Sequence, residues 1–145
     1  MKIHPYLNFD GTSEKAFRFY EKVLGGKLTE INRFGAMPPQ QSVEMTEEQK
    51  NRVMHVGLML PDGQMIMASD TMPGMSPPRV EGNAYNISLH PDSRQEADRI
   101  FRALSEGGQV TMPLSDQFWG DYYGALTDKF GVQWMVNYSA QRPVQ

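Results

Sequence analysis

Pro5, Leu7 and Phe9 alternate with His4, Tyr6 and Asn8 near the start of the chain. A period of two puts these sets on opposite faces of a strand, one packed and one more polar. Asp10-Gly11 breaks the alternation, and Thr12 or Ser13 then offers a hydroxyl that can cap a helix by accepting a first-turn N–H. Ala16, Phe17, Phe19, Tyr20, Val23 and Leu24 recur at helical spacing until Gly25-Gly26 stops them. Lys27 to Phe34 predicts a second strand. Gly35 to Arg52 is polar and reads as a loop with one helical turn near Thr46-Glu47-Glu48-Gln49. Val53 to Leu60 and Gln64 to Ser69 predict two more strands, joined through the turn Pro61-Asp62-Gly63.

Thr71 to Gly82 holds Pro73, Gly74, Pro77 and Pro78, a density of breakers that marks a linker. After it the order starts again. Asn83 to His90 alternates like a strand. Pro91-Asp92-Ser93 begins a helix, with Glu96 placed for a capping box. Ala97, Ile100, Phe101 and Leu104 form its apolar stripe, and Gly107-Gly108 ends it. Gln109 to Leu114, Tyr122 to Thr127 and Val132 to Tyr138 predict the remaining strands. Asp128 to Gly131 turns between the last two, with Asp128 supplying a side-chain bond and Gly131 a permissive backbone.

Each half therefore reads strand, helix, then three strands, an internal repeat of architecture. The expectation is an α+β fold of two tandem βαβββ modules, residues 1–70 and 83–145, joined by a linker over 71–82. Their sheets are expected to be curved and mostly antiparallel, with the helices on the outer face. The opposite face of each sheet must then be covered by something else or form a cavity.

Composition narrows the function. Net charge is −3 over 145 residues, with no basic excess to neutralise phosphates, so no nucleic-acid partner is expected. No apolar run approaches the roughly 20 residues that span a bilayer, so no membrane partner is expected either. Cysteine is absent, which excludes disulfides, thiolate metal sites and a cysteine nucleophile. The cytoplasm is the expected compartment. Eleven methionines are available for irregular apolar walls and adaptable pockets as well as core.

Among polar candidates, His55 has Gly57 and Met59 as strand-mates, and Gly57 leaves room beside the imidazole. It is the one candidate for a catalytic role, against the alternative of a half-buried structural histidine. Asp70 offers either a general base or a cap for the linker turn, and the cap is favoured. No Gly-x-Ser-x-Gly elbow supports a hydrolase nucleophile. Phe118-Trp119-Gly120-Asp121-Tyr122-Tyr123 is the richest aromatic cluster, suited to a cavity wall or to packing at a seam.

Three segments carry a family resemblance. The first pairs Pro5-Tyr6-Leu7-Asn8-Phe9 with Phe19-Tyr20-Glu21-Lys22-Val23-Leu24-Gly25-Gly26. The second is Ala68-Ser69-Asp70-Thr71-Met72-Pro73-Gly74. The third joins Phe118-Trp119-Gly120-Asp121-Tyr122-Tyr123-Gly124 to Thr127-Asp128-Lys129-Phe130-Gly131-Val132-Gln133-Trp134. In this order they resemble the PhnB-like branch of the glyoxalase/bleomycin-resistance group, within the vicinal oxygen chelate superfamily. The resemblance implies paired βαβββ half-barrels, often completed across a homodimer, and a cavity over the concave sheet face. In the metalloenzymes of that superfamily four side chains there hold a divalent metal, which acts as a Lewis acid. The corresponding places here fall on His4, Met67, Asn86 and Met135. One imidazole, one amide and two thioethers make an incomplete set for a hard divalent ion, so no cofactor is expected and His4 is the single candidate metal ligand. The methyltransferase label given to some members finds no support, because both Gly-Gly pairs end helices where a nucleotide site needs a glycine-rich helix start.

The resulting expectation is a glyoxalase-like protein that binds a small organic molecule and works as a homodimer. Tyr6, Asn8, His55, Asn86 and Met135 are expected to face one cavity, with Trp119 or Tyr122 on its wall. Two alternatives stand beside it. One is a metal-dependent lyase, isomerase or dioxygenase of the vicinal oxygen chelate type, and the other is an antibiotic-sequestering protein without catalysis.

Overall fold

Strong local signals decide most elements of the computed structural model, which describes residues 1–38 and 44–140. The chain divides into two compact units, Met1–Val80 and Glu81–Gln145. Unit 1 contains β1 (Tyr6–Phe9), α1 (Ser13–Leu24), β2 (Lys27–Leu28), β3 (Asn32–Arg33), a 3-10 turn (Phe34–Ala36), α2 (Glu47–Asn51), β4 (Val53–Met59) and β5 (Met65–Asp70). Unit 2 contains β6 (Ile87–Leu89), α3 (Arg94–Ser105), β7 (Gln109–Asp116), β8 (Tyr122–Thr127) and β9 (Gln133–Tyr138). Each unit has the expected α+β order of strand, helix and three further strand regions. Among the described residues no helix is long and apolar enough to cross a membrane.

The unit 1 sheet runs β1-β5-β4-β2, with β3 also pairing β4. β1 lies parallel to β5, whereas β4 is antiparallel to both β5 and β2. The helix-facing set is apolar and buried: Phe9, Val56, Leu58, Ile66 and Ala68 meet Ala16, Phe17, Tyr20 and Val23 of α1. Phe17 meets the rings of Phe9 and Tyr20 edge-on, at 6.4 and 5.6 Å between centroids.

Unit 2 repeats the plan in the order β6-β9-β8-β7, with β6 parallel to β9 and the other pairs antiparallel. Ala97, Ile100, Phe101 and Leu104 of α3 are buried with Leu126, Trp134 and Val136. Ser93 caps α3 by accepting the Glu96 N–H at 3.0 Å.

Several expected boundaries are corrected. The strand drawn over Lys27–Phe34 is broken between Leu28 and Asn32. The Thr29 hydroxyl accepts the Gly57 N–H at 2.8 Å, so a side chain takes a place in the ladder where a backbone carbonyl would sit. The strand drawn over Asn83–His90 narrows to Ile87–Leu89. Thr46 forms a full capping box with Gln49, turning the expected single turn into α2.

Neither Thr12 nor Ser13 caps α1. Thr12 occupies the N-cap position without a side-chain cap bond, and the Ser13 hydroxyl is buried with no partner among the described residues. Asp70 does the capping from the end of β5. Its Oδ1 accepts the N–H groups of Gly11 and Ser13, both at 3.0 Å, and its Oδ2 accepts that of Val53 at 2.8 Å. The expected role of Asp70 as a linker-turn cap is thereby corrected: its carboxylate serves the helix start and β4. The turn over Asp128–Gly131 forms as expected, with Asp128 Oδ1 accepting from Phe130 and Val132 at 2.8 and 3.0 Å.

Candidate functional site

Alternation along three strands builds an open face on unit 1. Since Val56, Leu58, Ile66 and Ala68 turn toward α1, their neighbours His55, Gly57, Met59, Met65, Met67 and Ser69 turn away from it. Register brings these into rows. Tyr6 pairs with Met67, which pairs with Gly57; Asn8 pairs with Ser69; Met65 pairs with Met59. Tyr6 and Asn8 are exposed on β1 and His55 is half-buried on β4.

The polar centre of this face is one contact. The Tyr6 hydroxyl and His55 Nδ1 lie 3.2 Å apart, with their rings 5.8 Å between centroids. When the phenol donates to Nδ1, the other ring nitrogen is left as an N–H donor for whatever lies above the sheet. Beside it, the missing side chain of Gly57 lets two neighbours close over the strand. A Cβ there would stand 3.2 Å from Thr29 Cγ2 and 3.4 Å from Met65 Sδ. The face therefore combines a hydrogen-bonding pair with thioether walls from Met59, Met65 and Met67. Of the described residues facing this side, Lys27 brings a charge, at the rim opposite Met59.

Of the residues expected to bind ligand, Tyr6, Asn8 and His55 lie on this face, together with Met67, a place that the family resemblance gives to a metal ligand; Thr29 and Met65 are not among the expected residues. The period-two relation of Met65 to Met67 was a usable signal for the second. Thr29 had none, because it lies where the strand pattern breaks. His4 is half-buried just ahead of β1.

Unit 2 has an open face of its own. Met135 pairs with Ser88 and Ala125, and Tyr123 with Asn137. Asn86 is exposed, just before β6. Trp119 lies in the exposed turn before β8, 6.5 Å from the Tyr123 ring and 4.9 Å from that of Phe118.

Tyr122 departs from expectation. It shares the helix-facing side of β8 with Gly124 and Leu126, so it is turned away from Met135 and does not line the same wall. Its hydroxyl donates to Asp98 on α3, and the Arg94 guanidinium stacks 3.9 Å above its ring. The bond to Asp98, reinforced by burial and by the carboxylate's charge, pushes the Tyr122 phenol above its ordinary range. Arg94 in turn makes a two-bond pair with Asp116, both at 2.8 Å, which holds that carboxyl below its usual range. This cluster is a structural clamp on α3.

The donor chemistry does not fit a hard divalent metal. Among the described residues no group of three or more His, Asp or Glu side chains gathers to hold one. Met67 and Met135 bring thioethers to two of the four expected places, and Asn86 brings an amide.

Paired βαβββ units, each with a helix-covered and an open sheet face, define a known class of α+β protein. The chain belongs to the Glyoxalase/Bleomycin resistance protein/Dioxygenase superfamily, whose family model matches residues 2–136. Protein YjdN of Escherichia coli (strain K12) is 32% identical over 151 aligned residues, spanning 100% of both chains. The crystal structure of protein PA1353 from Pseudomonas aeruginosa is 41% identical, covers 96% of this chain and 98% of its own, and superposes with a TM-score of 0.83. The PhnB protein of Bacillus cereus, described as a putative 3-demethylubiquinone-9 3-methyltransferase, is 24% identical with a TM-score of 0.74. It covers 96% of this chain and 100% of its own, and at that identity the likeness carries the fold alone.

Proposed function

We propose that the protein binds a small organic molecule on the open face of unit 1, with the Tyr6–His55 pair as its polar anchor. The observation that carries this reading is the 3.2 Å contact between the Tyr6 hydroxyl and His55 Nδ1 amid Gly57, Met59, Met65 and Met67. Sites for small molecules combine apolar walls with a few fixed polar groups. Asn8 and Ser69 supply further hydrogen bonds next to that pair. Asn86, Trp119 and Met135 are proposed to serve the corresponding face of unit 2. Tyr122 is not part of this proposal, because its hydroxyl is engaged by Asp98. His55 is the group positioned to hold or deliver a proton should the ligand react.

A thermal-shift screen of metabolites tests the reading, since a ligand specific to the folded state raises the melting temperature. Hits should be lost in His55→Ala and Tyr6→Phe, and hits indifferent to both changes would overturn it.

The protein is further proposed to act as a cytoplasmic homodimer. Exposed Val110, Met112, Phe118 and Trp119 on β7 and its following turn support self-association. A light-scattering mass of one chain, constant with concentration, would exclude the dimer.

A further inference from the structure

The open face of unit 1 also carries information about what its ligand must be, and this step rests on the binding reading above. Tyr6, Asn8, Thr29, His55, Met59, Met65, Met67 and Ser69 furnish hydroxyls, an amide, an imidazole and three thioethers. The described strand positions on this side carry no arginine, lysine or carboxylate at the centre of the face, and Lys27 stands at its rim. While His55 accepts from the Tyr6 hydroxyl as a neutral ring, an anion buried there would lose its hydration without gaining a paired charge. A cation would equally lack a carboxylate.

The three methionines add a preference of shape. Met65 and Met59 face each other across β4 and β5, and Met67 occupies the next open position beside Tyr6. Thioethers are polarizable and adapt to flat aromatic surfaces. Gly57 keeps the floor low between His55 and Met59, because a side chain there would press on Met65 Sδ and Thr29. A flat ring fits over such a floor, and the His55–Tyr6 pair meets a hydroxyl or carbonyl on its edge.

We infer that unit 1 selects an uncharged, flat aromatic or conjugated molecule bearing a hydroxyl or carbonyl, and rejects its carboxylate counterpart. Calorimetry with 1-naphthol and 1-naphthoate on the full chain tests this. 1-Naphthol is expected to bind at least about tenfold more tightly than 1-naphthoate, the size of one unfavourable charge burial at a partly open site. Gly57→Val should weaken 1-naphthol by about tenfold or more by lifting Met65 into the ring's place. Met67→Lys should shift the preference toward 1-naphthoate by supplying the missing cation. Gly57→Ala, a smaller change, guards against a folding failure of the valine variant and should show a weaker loss in the same direction.

Equal or tighter binding of 1-naphthoate to the unaltered protein would overturn the inference. So would no binding of 1-naphthol, or binding untouched by Gly57→Val and Met67→Lys. Failure of selectivity leaves the binding reading intact if either probe still depends on His55 and Tyr6. Probes that bind without regard to those two residues overturn both.

Discussion

Asp70 in unit 1 and Asp128 in unit 2 are both buried, at 4% and 3% exposure, and each gathers three N–H donors. They differ in reach. Asp128 accepts from Phe130, Val132 and the Trp134 indole, all within six positions along the chain. Asp70 accepts from Gly11 and Ser13, 59 and 57 positions away, and from Val53, 17 positions away. One carboxylate closes a turn. The other ties a strand end to a helix start and to a neighbouring strand. Unit 1 thus places its helix N-terminus under tertiary control, whereas unit 2 caps α3 with the local Ser93.

Removing Asp70 is the strongest way to test that contrast. Asp70→Ala leaves the Ser13 and Val53 N–H groups buried without acceptors, and should cost about 2–6 kcal/mol at roughly 1–3 per orphaned group. Urea unfolding followed by circular dichroism measures it. Asp128→Ala should cost less, about 1–3 kcal/mol, because the Trp134 indole is its one fully buried donor, while its turn amides are part-buried and can turn to water. Trp134 fluorescence should change in that variant, since its indole loses a partner at 2.8 Å. Equal losses at the two positions would erase the distinction between local and long-range hubs.

This difference also sets what the sequence discloses. Asp128-Lys129-Phe130-Gly131 is readable as a turn because donor, acceptor and permissive glycine are neighbours. Thr12 and Ser13 look like caps by the same local logic, yet the fold gives the task to a residue that periodicity cannot connect to them. On the candidate site, alternation puts Tyr6 and Asn8 on one side of β1 and groups His55 with Gly57 and Met59 on β4, and the register brings both sets to the same side of the sheet. Thr29 escapes because its hydroxyl interrupts the very strand pattern that would reveal it. Tyr122 misleads, because a ring in an aromatic run carries no sign of the face it takes until β8 is in register.

A smaller effect separates the surface ion pairs. The bonds to Arg33 and Arg18 hold the Glu14 carboxyl below its usual range, against the opposing effect of burial. A carboxyl with a lowered folded value adds stability above its unfolded value and loses it as pH falls through the folded one. Glu14→Gln should therefore flatten the acid side of the unfolding profile. Asp116→Asn in unit 2 should do the same more weakly, because Asp116 is open to screening by salt. Denaturation midpoints taken from neutral pH down to about pH 3, below the ordinary carboxyl values, measure both.

The smallest change concerns Ser13. Its hydroxyl is fully buried without a hydrogen-bond partner among the described residues, so Ser13→Ala should be neutral or stabilising by up to about 1 kcal/mol. A loss beyond that range, in the same urea titration, would mean that the hydroxyl has a use in the folded chain.

The parallel pairing of β1 with β5 gives unit 1 a schedule. Tyr6–Phe9 are made well before their partners in the sheet, Met67–Asp70. At the roughly 5–20 residues per second of protein synthesis, the gap amounts to about 3–12 seconds. Throughout that interval Leu7 and Phe9 leave the ribosome with no strand to join, and α1 lacks the carboxylate that will hold its start. The first module can close only after its last strand emerges, so β1 is the strand of that module that waits longest for its partner.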